Sequence, residues 1–500
     1  MRLVRAVVAA LSAVLLLGLV AGVLAMDWRE PPDAMAQGKP TIVEVPPGQA
    51  VAVCPAELKL VGDESGQISY DPSFDPRPTA VEAITRMVVA GPLGGEMTTL
   101  GQGAVVPVSP PLGLLSQEVT AKPWLVQGRS SANEVAMATG GVIIHAMDGD
   151  LRSLAGGSCV VPAAEAWLVG GSTEVGSSAR LVLTNPGLTQ VTVDLTLWDG
   201  AGLIDTVGTS GLVVPPESQR AVLLEGIVAE ASRLAVRVLA TGGDLAVYLQ
   251  HARMHALTPA GVDLVMPGSP PAESQVIAGL SVAASRYDDP DTALVRVANP
   301  GELDAMVSVQ LWGANGVVSL PGLDQANLPA GAVVDLSLAG LEAGTYAAVV
   351  QASKPVVAAG LAVRQAAAGE AREFAWSAAA AAPVHGFLAL PLPEVESTLS
   401  VAAASDTTVS LRVLAPGGDG EGPAKTIELK AGTMSLVDPV AVLGAGPETA
   451  FIEYTFAEPG QAAIAMNLST TDPAGQLITT LVPPIGMREQ GSVVSVYRLR

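Results

Sequence analysis

The chain has 500 residues, of which 49% are apolar but only 3% aromatic, and it carries 53 glycines and 38 prolines. Its length exceeds what one hydrophobic core usually organises, so we expect roughly three to five domains. The 48 acidic residues outnumber 26 basic ones and give a net charge of -22. Because such a surface repels phosphate backbones, the composition disfavours nucleic acid as a partner.

The first 26 residues are typical of a membrane-targeting segment. Arg2 and Arg5 precede an uncharged apolar run that ends at Met26, long enough as a helix to cross a bilayer. The positive-inside rule then places the rest of the chain outside the cytoplasm. We therefore predict a transmembrane helix or a cleaved signal peptide over residues 1–26, a linker over 27–40, and a protein that is membrane-anchored or secreted.

Cys54 and Cys159 are the two cysteines of the chain. In an oxidising compartment two lone cysteines most often pair, so we predict a disulfide between them, with two free buried thiols as the alternative. Neither cysteine has a CxxC partner or a nearby histidine. We therefore expect no metal at the cysteines and no cofactor in the protein.

Internal repeats set the predicted domain organisation. Residues 184–202 and 298–316 share Asn-Pro-Gly, Leu-Trp and a following glycine, which indicates two copies of one domain. A divergent copy begins near residue 398, and the last third of a copy recurs at residues 134–146. The predicted domains are an N-terminal β domain with both cysteines (41–163), two repeats (164–272 and 273–386) and a divergent repeat (387–500).

The pattern inside a repeat is that of β-strands. Val191, Val193, Leu195 and Leu197 alternate with polar residues, as expected for a strand with one buried and one solvated face. Turn residues separate such strands every 8 to 14 residues or so. We predict an all-β protein in which tandem antiparallel, Ig-like β-sandwich domains form a row of separable units after the N-terminal helix.

Several of these features resemble a known family. They are Cys54-Pro55 early in the first domain, Cys159 shortly before Trp167-Leu168-Val169-Gly170-Gly171, and the pattern LVLTNPG followed by VTVDLTLW. Together they resemble an actinobacterial family of large secreted or membrane-anchored β-rich proteins classed as a domain of unknown function. The resemblance implies location and fold, and it implies no activity.

The common catalytic motifs are missing from the sequence. GxSxG, SxxK, GxxxxGK, HExxH and the EF-hand loop do not occur, so nucleophilic, phosphate-loop and zincin chemistry lack their residues. We predict a non-enzymatic protein with no catalytic residues. The alternative is an extracytoplasmic hydrolase acting on cell-wall glycan, because a pair of catalytic carboxylates can be distant in sequence.

Two segments carry residue types that bind metals. His251 and His255 have a spacing that suits zinc on a helix, but the preceding residues read as a strand, on which about 13 Å would separate them. The acidic loop Tyr287–Asp291 lacks the spaced ligands of a calcium site. We predict no metal site at either segment.

Trp198 and Trp312 fall in register with the polar face of their strands. An exposed tryptophan there can stack on a sugar or anchor a partner, which makes both of them candidate ligand contacts. The alternative is that each closes its strand end against a neighbouring loop or domain. The sequence thus favours a scaffold or binding protein of the cell envelope, with the membrane and envelope proteins or cell-wall glycan as partners.

Overall fold

The computed structural model describes residues 41–45, 48–60, 78–101, 103–287, 289, 291–364, 371–417, 422–458, 462–486 and 492–496. The predicted helix over 1–26 and the linker over 27–40 lie outside these residues. The predicted all-β class is confirmed, because antiparallel strands dominate and helix is limited to α1 (Pro439–Leu443) and a 3-10 turn (Leu224–Gly226) in the described residues. None of the described helices is long and apolar enough to span a membrane.

The first and last strands form a small sheet of their own. β1 (Thr41–Val45) pairs antiparallel with β35 (Ser492–Val496), with Val43 opposite Val494. These strands belong to one compact unit, and the chain from Gly48 to Glu489 forms the other.

In the larger unit, every described sheet takes its strands from one of four consecutive segments. Segment 1 (50–160) holds β2 (Ala50–Cys54), β3 (Val81–Ala90), β4 (Gly95–Thr99), β5 (Val106–Val108), β6 (Leu112–Glu118), β7 (Trp124–Gly128), β8 (Met137–Ala146) and β9 (Ser153–Ser158). Segment 2 (165–265) holds β10 (Glu165–Val169), β11 (Ser177–Asn185), β12 (Val191–Asp199), β13 (Gly202–Leu203), β14 (Leu212–Val214), β15 (Ser218–Leu223), β16 (Ala235–Thr241), β17 (Ala246–His255) and β18 (Thr258–Val265).

The second half of this unit continues in the same way. Segment 3 (272–378) holds β19 (Ala272–Val282), β20 (Leu294–Ala298), β21 (Ala305–Gly313), β22 (Gly316–Val318), β23 (Ala326–Leu328), β24 (Val333–Ser337), β25 (Gly344–Arg364) and β26 (Glu373–Ala378). Segment 4 (385–481) holds β27 (His385–Ala389), β28 (Glu396–Ala403), β29 (Thr407–Leu414), β30 (Lys425–Leu429), β31 (Met434–Val437), β32 (Phe451–Phe456), β33 (Ala462–Asp472) and β34 (Gly475–Leu481).

The four segments share one topology. When the strands of segment 1 or segment 4 are counted from one to eight, their two sheets have the orders 1-6-3-4 and 5-2-7-8. Segment 2 keeps these orders with its fourth strand divided into β13 and β14. Segment 3 divides its fourth strand likewise and fuses the sixth and seventh into β25, whose two halves pair in different sheets. The shared order supports an origin of the segments as copies of one unit.

The two sheets of a segment enclose a common hydrophobic core. In β12, Val191, Val193 and Leu195 are buried and alternate with partly exposed polar residues, as the sequence pattern predicts. They share a core with Leu181 and Leu183 of β11 in the facing sheet. Burial of one face of each sheet therefore explains the period of two along the strand.

The eighth strands of the four segments contact one another in a closed cycle. β9 contacts β18, β18 contacts β26, β26 contacts β34, and β34 contacts β9. Each lies at the edge of its own sheet and is largely buried. The sequence predicted a row of separable units and did not predict this contact among all four segments. These strands carry small and apolar residues on both faces, and the neighbouring segments cover the second face.

Candidate functional site

The predicted disulfide between Cys54 and Cys159 is confirmed. Cys54 ends β2 in one sheet of segment 1, and Cys159 follows β9 in the other, with 4.0 Å between their Cα atoms. Both residues are fully buried. The bond therefore ties the two layers of segment 1 together and fixes β9, which belongs to the central cycle.

Trp198 does not project from the protein as an exposed side chain. It lies near the end of β12, only 6% of its surface is exposed, and its ring stacks on Trp167 with 5.3 Å between centroids. A Cβ atom built on Gly331 of segment 3 would lie 4.0 Å from its Cδ1 atom. The end of β12 at Trp198 is covered because segment 3 packs on it.

Trp312 occupies the matching place in segment 3. It lies near the end of β21 and is 5% exposed. A Cβ atom built on Gly432 of segment 4 would lie 3.9 Å from its ring. Both tryptophans thus lie against a glycine of the following segment, as in the alternative in which each closes its strand end against a neighbouring domain.

An open groove of about 570 Å³ lies where segments 2 and 3 meet. We call it the Trp groove. Trp167 and Trp198 line it from segment 2, and the Asn-Pro-Gly turn at Asn299, Leu303 and Lys354 line it from segment 3. Of the residues singled out in the sequence as ligand contacts, Trp198 lies in this groove and Trp312 is not among its lining.

The segment 2 side of the Trp groove is fixed by polar contacts. The Trp167 indole N–H donates to Glu165 at 3.0 Å, and Arg237 pairs with the same carboxylate at 2.8 Å. The Arg237 guanidinium lies over the Trp167 ring at 5.8 Å from the centroid. Trp198 stacks on that ring as well, and only 6% of the Trp167 surface is exposed.

The segment 3 side is a rigid turn with an apolar rim. The Asn299 amide donates to the Leu303 carbonyl at 2.8 Å, and the Gly301 N–H donates to the Asn299 side chain at 3.0 Å. Leu303 is 64% exposed. Lys354 has no ion-pair partner within the described part of the chain, so the groove offers an apolar side chain and a cation.

The residues considered as metal ligands have other partners. His251 and His255 lie on strand β17, and the buried His251 Nδ1 accepts a hydrogen bond from the Trp376 indole at 3.0 Å. In the acidic loop, Asp291 pairs with Arg372, while Asp288 lies outside the described residues. No group of three metal-ligating side chains occurs among the residues described.

Sequence reasoning missed two buried carboxyl groups, Asp263 and Glu373, which are 0% and 1% exposed. Burial raises the pKa of Asp263 to about 7 and raises the pKa of Glu373 well above its ordinary value. Each is the one charged residue of its strand, in the mostly apolar stretches GVDLVM and EFAWSA. An acid inside such a run was the signal that the sequence offered.

One protein family matches most of the chain. Residues 115–440 match a family described as a family of unknown function (DUF5719). No curated protein and no solved structure matches the chain. The matched range runs from segment 1 into segment 4 and includes the Trp groove.

Proposed function

We propose that this chain, which belongs to the DUF5719 family of unknown function, is a non-enzymatic cell-envelope protein that binds partner proteins in the Trp groove. The observation that carries the proposal is the groove itself, with its fixed aromatic floor and the exposed Leu303 at its rim. Exposed apolar side chains beside fixed aromatic groups are typical of protein contact sites.

The proposed location is outside the cytoplasm. A disulfide between Cys54 and Cys159 persists in oxidising compartments and is rare in the cytosol. The apolar run within residues 1–26 supports export and serves in this proposal as membrane anchor or signal peptide. The membrane is therefore a proposed partner of the N-terminal helix.

We further propose that the four segments are the predicted β-sandwich domains, with boundaries near residues 164, 273 and 387. Two antiparallel sheets around a common core are the shared feature with Ig-like domains. The orders 1-6-3-4 and 5-2-7-8 differ from the immunoglobulin constant-domain order, in which the first strand pairs with the second. In this proposal each domain is an Ig-like sandwich with its own strand order.

The groove fits a peptide better than a glycan. Sugars bind tryptophan by stacking on an open ring face, whereas Trp167 and Trp198 stack on each other and are each only 6% exposed. Leu303 and Lys354 present an apolar contact and a charge to an incoming chain. An extended protein segment with apolar and acidic side chains matches both groups.

The test uses a photo-crosslinking residue placed at position 303 of the full-length protein in intact cells. Leu188 is the matched control, because it follows the Asn-Pro-Gly turn of segment 2 and is 82% exposed but does not line the groove. We expect protease-sensitive adducts from position 303, none from position 188, and a reduced yield when Lys354→Glu is added. Equal adducts from both positions would contradict the proposal.

A hydrolase acting on cell-wall glycan is the second candidate. Such an enzyme needs two carboxyl groups facing one substrate, and Glu165 and Glu302 both line the groove. The discriminating assay incubates the purified protein with isolated cell wall and measures soluble sugar. Sugar release that is lost in Glu302→Gln would replace the binding proposal with hydrolysis, whereas the binding proposal expects no release.

A further inference from the structure

Asp263 lies where the four segments meet, and its carboxylate connects all of them. It belongs to β18 of segment 2 and accepts hydrogen bonds from the Gly156 N–H of segment 1 at 3.3 Å and the Thr479 hydroxyl of segment 4 at 2.9 Å. Its other oxygen accepts from the Trp376 N–H of segment 3 at 2.7 Å. One side chain thus has a partner in each of the other three segments.

Glu373 is a second carboxyl group beside the same strand. It lies on β26, and a Cβ atom built on Gly261 of β18 would be 2.3 Å from its Oε1 atom. Oε1 accepts from the Phe374 N–H at 3.1 Å, whereas Oε2 has no hydrogen-bond partner in the described structure. A buried carboxylate with an unpaired oxygen is costly when it is ionised.

The basic groups around these acids are engaged with other partners. Arg152, which directly precedes β9, pairs with Asp472 at 2.6 Å, so the charge of this guanidinium is already compensated. On the β17 side, Arg253 lies over the Phe374 ring at 4.8 Å. Arg296 of β20 pairs with Asp335 at 2.7 Å.

His251 is the remaining titratable group that faces Asp263, because the two residues are opposite each other in the pairing of β17 and β18. Its Nδ1 atom accepts from the Trp376 indole, and burial together with Arg253 and Arg296 lowers its pKa well below the ordinary value. The imidazole is therefore neutral at physiological pH. No cation in the described residues forms an ion pair with Asp263 or Glu373.

We propose that Asp263 and Glu373 form a proton-dependent lock, which holds the four segments around their shared centre while the pair retains a proton and loosens their packing when it does not. Two buried carboxyl groups that repel each other hold a proton more tightly than free ones do. Release of that proton places uncompensated charge among β9, β18, β26 and β34, the strands through which the segments touch.

The direction of the pH effect follows from the raised pKa values of both groups. Between the ordinary carboxyl pKa near 4 and the folded value of about 7 for Asp263, the folded protein binds more protons than the unfolded chain does. The stabilising contribution is fully present below about pH 4 and is lost as the pH rises through about 7, with Glu373 extending the loss upward. Acid therefore stabilises this centre, and alkali weakens it.

The test compares thermal unfolding of the full-length wild type, Glu373→Gln and Glu428→Gln between about pH 5 and about pH 9. The amide introduced by Glu373→Gln keeps the shape and an acceptor oxygen but cannot ionise, and Glu428 is an exposed acid on β30. We expect Glu373→Gln to match the wild type near pH 5 and to melt at a higher temperature near pH 9. Glu428→Gln should follow the wild type throughout.

Hydrogen exchange supplies a second readout that does not depend on global unfolding. After correction for the intrinsic rate, protection of the Gly156 and Trp376 amides in the wild type should fall as the pH rises from about 5 through about 7, by roughly tenfold per pH unit for each proton that the folded state holds and the open state does not. A wild-type protection that is constant over this range, or a Glu373→Gln melting profile identical to that of Glu428→Gln, would overturn the proposal.

Discussion

Arg152 of segment 1 and Asp472 of segment 4 form an ion pair across 320 residues of sequence, with 2.6 Å between the closest atoms. Their side chains are 6% and 8% exposed. At the other end of β9, the Ser158 hydroxyl donates to the Val482 carbonyl at 2.5 Å. The first and last segments are thus in direct polar contact, which is why the segments close on themselves.

Removal of one partner from this buried pair should be costly. We expect Arg152→Ala to lower the free energy of unfolding by about 3 to 5 kcal/mol, because Asp472 would remain buried without its cation. The control is Arg237→Ala, whose pair with Glu165 is 36% and 42% exposed and should cost about 0 to 1 kcal/mol. Urea denaturation measures both, and equal costs would show that the Arg152 pair is solvated.

The disulfide should account for a measurable part of the stability. The double variant Cys54→Ala with Cys159→Ala should lower the free energy of unfolding by about 2 to 5 kcal/mol, since the bond closes a long loop in the unfolded chain. The wild type in reductant should lose a similar amount. Mass spectrometry of unreduced peptides is the control, and alkylation of both thiols without reductant would refute the bond.

Close packing between segments 3 and 4 depends on Gly279 of β19. A Cβ atom at this position would lie 2.6 Å from Ala465 Cβ, and its φ is 65°. Gly279→Ala should therefore cost about 1 to 3 kcal/mol beyond the backbone strain. Gly208→Ala measures that strain alone, because Gly208 has a φ of 85° and no neighbour within 4 Å. Equal losses of stability in the two variants on thermal denaturation would show that the interface accommodates the added methyl group.

The sequence predicted the features that arise within one segment. The alternation at Val191 to Leu197 and the turn at Asn185 to Gly187 depend on neighbours in sequence, so β12 and its entry were predictable. The pairing of Cys54 with Cys159 followed from composition and compartment.

Contacts between segments could not be predicted from the alternation along a single strand. Trp198 lies on the polar face of β12, so its place in the alternation indicated an exposed side chain. Another segment buries it instead. Asp263 was passed over for a similar reason: its hydrogen-bond partners come from three distant segments. Alternation along a strand reports the layers of its own sheet and carries no information about the next segment.

The closed arrangement of the four segments is tested most directly by a double-mutant cycle between segments 1 and 4. Arg152→Ala and Asp472→Ala are made alone and together in the full-length chain, and the free energy of unfolding of each is measured in urea. A direct buried contact predicts a coupling of about 1 to 3 kcal/mol between the two changes. Strictly additive losses, within about 0.5 kcal/mol, would contradict the closed arrangement and favour a row of segments in which the first and the last do not touch.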